Sequence, residues 1–294
     1  MRRALVMAVV AAGFVAASCG GAAGPGARTE GGRLRVVAGF YPLAEAARRV
    51  GGDAVEVTNL TPAGSEPHDL ELSSREVDRI EDAAVVLYLG AGFQPAVEGA
   101  VKRAKGAAVD LLRADLGLLD GDPHVWLDPT LQRRMVVHVQ VALAAADPVN
   151  AAAYQANAAA YGAELDGLHR EYSGGLADCD RRVIVTSHAA FGYLARRYDL
   201  VQEPISGLSP EAEPEPRRLA ELSDKVRRDG ITTVFYETLV SPAVAEALAR
   251  EAGVGSAVLD PLEGLSEDGR AAGDSYVSVM RRNLNAIRAA LGCR

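Results

Sequence analysis

Three histidines and one aspartate are the side chains of this sequence best suited to hold a metal ion. His68 lies in the loop TPAGSEPHDLE, His124 lies in GDPHVWLDP, His188 directly follows the apolar run VIVTS, and Asp260 ends AVLD. Imidazole nitrogens and a carboxylate oxygen are ligands that zinc accepts in a tetrahedron, at about 2.0–2.2 Å. Because the four residues are far apart in sequence, only the fold can bring them together.

A histidine considered alone is more often a packed or solvated ring than a ligand. His138, in RRMVVHVQVALAAA, and His169, in LDGLHREYS, lie within predicted helices, and we expect both to be structural or solvated. His68 and His124, by contrast, each follow a proline, which restricts its own backbone and that of the preceding residue. These two loops are therefore better suited to hold a ligand in place.

The elements that must position these side chains are short apolar strands alternating with helical segments. The predicted strands are LRVVAG, VEVTNL, AVVLYLG, VIVTS, ITTVFYE and AVLD. This alternation predicts an α/β fold in which mostly parallel sheet is flanked by helices. Ligands of open parallel sheets bind beyond the carboxyl ends of the strands, and the four predicted ligands lie near such ends.

An Ala-rich segment at residues 147–175 separates two halves of this pattern. Asp147 is placed to cap a helix that Pro148 begins. A helix of about 25 residues would be about 38 Å long, enough to join two lobes. We therefore expect an N-terminal lobe at 33–146, a linking helix at 147–175 and a C-terminal lobe at 176–294. The alternative is one more surface helix in a single domain.

The N-terminus has the features of an export signal. MRR is followed by the apolar run ALVMAVVAAGFVA and then by AASC, which ends at Cys19. The apolar run is shorter than the roughly 20 residues that span a bilayer. We expect a signal peptide at 1–18, a lipid on Cys19 and a flexible tether at 19–32, and thus an extracytoplasmic lipoprotein of the cell membrane. Ordinary signal cleavage would instead give a periplasmic protein.

The remaining cysteines, Cys179 and Cys293, form an even pair in a chain predicted to be exported. Such a pair favours a disulfide, which would tie the C-terminus to the start of the second lobe. The alternative is two separate thiols, because sequence alone does not supply the geometry.

Charge and motifs argue against several other function classes. The net charge of −8 disfavours nucleic acid as a partner, because that affinity comes largely from clustered Lys and Arg. The sequence contains no HExxH, no GxxxxGK[ST], no GxSxG and no CxxC. We therefore predict a binding protein rather than an enzyme.

Six sequence blocks, in this order across about residues 34–291, resemble the zinc and manganese group of ABC-transporter solute-binding lipoproteins. The blocks are SEPHDLELSS, DPHVWLDP, VTSHAAFGYLARRYDL, GLSPEAEPEPRRLAEL, VFYETLVSP and GDSYVSVMRRNLNAIRAAL. The resemblance implies two α/β lobes joined by one long rigid helix, with the metal between them. By this resemblance, the first three metal ligands of the family correspond to His68, His124 and His188. The fourth falls on Asp260, for which some zinc members use another acid or a water.

The resemblance also implies a function. A monomer would capture Zn²⁺ and deliver it to an ABC-type permease in the membrane. Manganese members usually have glutamate at the third ligand, so His188 favours zinc, in line with the softer imidazole. We expect Glu66, Glu71 and Glu237 either to orient the ring N–H groups or to be solvated surface acids. The alternatives are a manganese-binding member, an exported zinc-dependent hydrolase and a surface adhesin of the same fold.

Overall fold

The computed structural model describes residues 27–119 and 121–294. The predicted signal peptide, Cys19 and the tether up to residue 26 lie outside the described residues. Among the residues described, no helix is both long enough and apolar enough to cross a membrane.

The first half of the chain forms a four-stranded parallel sheet. Its strands are β1 (Leu34–Ala38), β2 (Val55–Asn59), β3 (Val85–Tyr88) and β4 (Ala107–Asp110). They are arranged in the order β2-β1-β3-β4. The register pairs Leu34 with Val55 and Val36 with Val85.

The second half repeats this arrangement. Its parallel strands are β5 (Val183–Thr186), β6 (Val201–Pro204), β7 (Thr233–Tyr236) and β8 (Gly255–Val258). Their order, β6-β5-β7-β8, matches that of the first sheet. The α/β class predicted from the strand and helix alternation is thus confirmed, with one parallel sheet in each lobe.

Helices connect the strands and flank the sheets. They are α1 (Tyr41–Gly51), α2 (Ser74–Asp82), α3 (Pro95–Ala100), α4 (Pro129–Ala146), α5 (Ala151–Gly175), α6 (Gly192–Arg197), α7 (Pro216–Arg228), α8 (Ala243–Ala252), α9 (Glu267–Ala271) and α10 (Tyr276–Leu291). The long helix α5 lies between the two sheets in the chain, as predicted. A 3₁₀ turn at Pro148–Asn150 precedes it.

Helix α4 begins directly after its capping residue, Asp128. The side chain of Asp128 accepts a hydrogen bond from the N–H of Thr130 at 2.8 Å, and Pro129 occupies the first helical position. The other carboxylate oxygen of Asp128 accepts a hydrogen bond from Arg197 of α6 at 2.7 Å. Asp128 therefore both starts a helix of the N-terminal lobe and binds the C-terminal lobe.

One apolar core extends through both lobes. Its largest buried side chains include Trp126, Tyr154, Tyr172 and Tyr276, which come from both sides of the lobe boundary. The hydroxyl of Tyr172 in α5 donates to the carbonyl oxygen of Met280 in α10 at 2.7 Å. Because close-packed interiors resist deformation, this shared core favours a rigid arrangement of the two lobes.

A disulfide bond joins Cys179 to Cys293. Cys179 follows α5 and Cys293 follows α10, so the bond closes a segment that contains the whole second sheet.

Candidate metal centre

Four side chains each direct one ligand atom into a common space. The four atoms lie within 4.8 Å of one another and belong to His68, His124, His188 and Glu263. Oε1 of Glu263 is 3.4 Å from Nε2 of His68, 3.2 Å from Nε2 of His124 and 3.3 Å from Nε2 of His188. The Nε2 atoms of His124 and His188 are 3.4 Å apart. A tetrahedral zinc site with bonds of 2.0–2.2 Å has ligand–ligand edges of about 3.3–3.6 Å, close to these separations.

All four residues come from loops that follow strands. His68 follows β2, His124 follows β4, His188 follows β5 and Glu263 follows β8. The carboxyl ends of parallel strands lie at one edge of their sheet, so each lobe supplies two ligands from its own edge. This is where the sequence predicts a ligand site.

The centre is almost completely removed from solvent. The side chains of His124, His188 and Glu263 are fully buried, and that of His68 is 11% exposed. Neither carboxylate oxygen of Glu263 accepts a well-aligned hydrogen bond from the residues described, and Nε2 of His68 also lacks a partner there. Burying such groups without a partner is costly. A cation bound between them would satisfy them, so this donor set fits zinc.

Two carboxylates orient the buried rings from behind. Asp122 Oδ1 is 2.8 Å from Nδ1 of His124, and Glu237 Oε1 is 2.6 Å from Nδ1 of His188. When Nδ1–H donates to a carboxylate, the lone pair of Nε2 is free to bind a metal. The expectation for Glu237 therefore has a structural basis, whereas Asp122 is an orienting acid that the sequence interpretation missed.

Glu66 and Glu71 have different positions. Glu66 Oε1 accepts a hydrogen bond from the backbone N–H of His68 at 3.0 Å. Glu66 therefore stabilises the loop that bears His68 and does not orient the imidazole ring. Glu71 is exposed and contacts none of the three histidines. It matches the alternative of a solvated surface acid.

The buried charges shift one another's proton affinities. Burial lowers the pKa of His188, but the neighbouring carboxylates of Glu237 and Glu263 outweigh burial and raise that pKa to about 10. Burial also opposes the charge of Glu263, yet the three histidines beside its carboxylate hold its pKa well below the usual value. Burial and the neighbouring Glu263 raise the pKa of Glu66 to about 9. The lowered pKa favours a negative charge on Glu263 beside the three Nε2 atoms, where a cation would sit.

The predicted fourth ligand, Asp260, lies outside this group of four. Its Oδ1 accepts a hydrogen bond from the N–H of Leu262 at 2.7 Å, and its Oδ2 accepts one from Thr238 Oγ1 at 3.2 Å. Strand β8 ends at Val258, and the loop LDPLEGL that follows contains two acids. The sequence interpretation selected the first acid, whereas the backbone turn brings the second, Glu263, to the rings.

The other two histidines are also outside the group. Nε2 of His138 is 3.2 Å from Asp115 Oδ2 near the surface, and Nδ1 of His169 is 3.2 Å from the hydroxyl of Tyr198. Both contacts agree with the structural or solvated roles expected for these residues.

The fold and the centre can be compared with known proteins. The family model described as zinc-uptake complex component A, periplasmic (ZnuA) matches residues 36–290. The high-affinity zinc uptake system protein ZnuA of Bacillus subtilis is 33% identical over 306 residues, covering 96% of this chain and 96% of that protein. The zinc-binding lipoprotein AdcA of Streptococcus pneumoniae is 37% identical over 278 residues, covering 87% of this chain and 56% of AdcA. The chain thus spans little more than half the length of AdcA.

A solved structure extends the likeness to three dimensions. The Zn(II)-bound ZnuA-like domain of Streptococcus pneumoniae AdcA superposes with a TM-score of 0.79 at 39% identity, covering 88% of this chain and 99% of that domain. With a family match across most of its length, the chain belongs to the family of zinc-uptake complex component A proteins.

Proposed function

We propose that this protein binds one Zn²⁺ between its lobes and delivers it to an ABC-type permease in the membrane. The ligands are Nε2 of His68, His124 and His188 and Oε1 of Glu263, in place of the Asp260 expected from the sequence. The observation that carries the proposal is the convergence of these four atoms, which lie within 4.8 Å of one another and are 3.2–3.4 Å apart for the four pairs given above. The names of the relatives, a zinc uptake protein and a zinc-binding lipoprotein, support it.

The ligand set favours zinc over manganese. Three imidazoles and one carboxylate oxygen suit a four-coordinate zinc ion, whereas manganese prefers more oxygen ligands in octahedral geometry. The buried carboxylates of Asp122 and Glu237 strengthen this preference, because they increase the donor strength of the His124 and His188 rings.

The same geometry favours binding over catalysis. Catalytic zinc sites hold the metal with three protein ligands and keep the fourth position for water or substrate. Here a buried glutamate occupies that position. We therefore assign a transport role rather than a hydrolytic one.

For the whole chain, we propose the organisation expected from the sequence. Residues 1–18 are a signal peptide, Cys19 carries a lipid that anchors the protein outside the membrane, and residues 19–32 are the tether, whose Arg28 pairs with Asp147 of the folded protein. Residues 33–146 and 176–294 are the two lobes of a monomer, linked by residues 147–175. Replacing Cys19 with alanine tests the anchor, because the variant should leave the membrane fraction.

Zinc titration of the metal-free protein against a competing chelator tests the site. His188→Ala and Glu263→Ala should each weaken zinc binding by more than about 100-fold. Each removes a ligand, whereas losing a residue that only orients a ligand costs roughly 10–100-fold. His138→Ala is the matched control, since its ring lies outside the group, and it should bind zinc like the unchanged protein. Unchanged zinc affinity in either ligand variant would contradict the assignment.

A further inference from the structure

Glu263 is preceded by a residue in an unfavourable backbone conformation. Leu262 has a φ of 55° and its side chain is completely buried. This left-handed region brings Cβ too close to the following carbonyl oxygen, so residues other than glycine adopt it rarely. Such a conformation persists only where the surrounding structure enforces it, and it is often found at functional sites.

The turn at Asp260–Leu262 is held by a hydrogen bond within it and by two hydrogen bonds to Asn283. Asp260 Oδ1 accepts from the N–H of Leu262 at 2.7 Å, which is the closing bond of the turn. Asn283 in α10 holds both backbone groups of Asp260, because its Oδ1 accepts from the N–H at 3.0 Å and its Nδ2 donates to the carbonyl oxygen at 2.6 Å. The turn is thus attached to a long helix of the C-terminal lobe.

A third contact attaches the turn to the N-terminal lobe. Nε1 of Trp126 donates to the carbonyl oxygen of Pro261 at 2.8 Å. Trp126 is two residues from His124, and its own carbonyl oxygen accepts from the hydroxyl of Tyr276 at 2.5 Å. The loops that bear His124 and Glu263 are therefore held to each other across the lobe boundary.

We propose that Asp260, Asn283 and Trp126 are positioning residues that make Glu263 a ligand through one oxygen and so bias the site toward zinc. The held turn places Oε1 of Glu263 at 3.2–3.4 Å from the three ring nitrogens. A carboxylate freed from the turn can rotate and offer both oxygens, which raises the coordination number and suits manganese better. This inference rests on the proposed zinc site.

Cobalt substitution reports the geometry directly, because tetrahedral Co²⁺ absorbs visible light far more strongly than octahedral Co²⁺. We expect Asp260→Ala to weaken these bands and to lower zinc affinity by about 10–100-fold, the usual cost of losing an orienting partner. Manganese affinity should change less, so the ratio of zinc to manganese affinity falls by at least about tenfold. Asp260→Asn should restore the bands and the ratio, since its amide oxygen can still accept the N–H of Leu262.

Asp224→Ala is the control, because Asp224 is an exposed acid of the same lobe that pairs with Arg227 within α7. It should leave the cobalt spectrum and the metal ratio unchanged. If Asp260→Ala does not fold, Asn283→Ala supplies the same test, since it frees the turn and keeps both acids. A folded variant with the original cobalt bands and metal ratio would overturn the positioning role. Weak cobalt bands in the unchanged protein would instead contradict the zinc site itself.

Discussion

Glu237 shows how a side chain that never touches the metal can govern its affinity. Its carboxylate is 2.6 Å from Nδ1 of His188 and is nearly fully buried. Glu237→Ala removes the acceptor that orients the ring, so we expect zinc affinity to fall by about 10–100-fold, with a smaller loss for Glu237→Gln, which keeps an oxygen acceptor. Competition titration measures both, and the exposed Glu71→Ala serves as the control. Equal affinity in the Glu237→Ala and control variants would argue against the orienting role.

Protons are expected to compete with zinc for the same histidines. A ligand ring must be unprotonated at Nε2, and the pKa of His188 is raised to about 10 in the absence of metal. At neutral pH the ring therefore carries a proton that zinc must displace, so affinity should fall as pH decreases and binding should release protons. Calorimetric titrations in buffers of different ionisation enthalpy measure that release. A binding enthalpy independent of buffer would contradict it.

At the scale of elements, Asp147 holds the corner between α4 and α5. The sequence predicts it as a helix cap, but its carboxylate instead accepts hydrogen bonds from the side chains of Asn150 and Tyr154 and pairs with Arg28 at 2.9 Å. Burial opposes the charged form, and these three partners outweigh burial and lower the pKa of Asp147. The buried carboxylate of Asp147 thus stabilises the corner through side-chain partners, and it does not cap the backbone N–H groups of the following helical turn.

Removing this carboxylate should destabilise the protein. We expect Asp147→Ala to lower the free energy of unfolding by about 2 kcal/mol, because buried partners lose charge-assisted hydrogen bonds. Since the folded-state pKa is lowered, the stabilisation is present above the unfolded value near 3.9 and is lost as pH falls through the folded value. Urea denaturation at pH 7 and at pH 3 measures the difference. Asp166→Ala, which removes an exposed pair with Arg133, should change little at either pH.

The strands also show which sequence patterns predict a strand and which do not. Runs such as VIVTS and ITTVFYE predict strands correctly because their central residues are buried, and most of these are apolar. Strands β4 and β6 were not predicted, and both are edge strands whose residues are exposed or half-buried. Their sequences, AAVD and VQEP, carry little hydrophobic pattern because none of their residues is fully buried.

At the scale of the whole molecule, the bond between Cys179 and Cys293 constrains the C-terminal lobe. The two cysteines are 114 residues apart, so the bond removes much of the conformational freedom of the unfolded chain. Replacing both with serine should lower the free energy of unfolding by about 2–5 kcal/mol. Denaturation of the metal-free protein measures this loss.

Zinc affinity of the folded double variant should remain unchanged, because neither cysteine belongs to the metal centre. A large loss of zinc affinity would show that the bond shapes the site, while unchanged stability would show that it does not constrain the unfolded chain.

Residue types and patterns were enough to predict the α/β alternation, the long helix before residue 176 and three histidines beyond strand ends. These features are local, because short stretches of sequence contain the hydrophobic pattern of a strand and the capping residues of a helix. Which acid completes the centre is not local, since Asp260 and Glu263 lie in the same loop. A left-handed leucine and a hydrogen bond from Trp126 to Pro261, 135 residues away, turn Glu263 toward the rings. Contacts from both lobes hold that conformation, because an isolated loop would relax out of it.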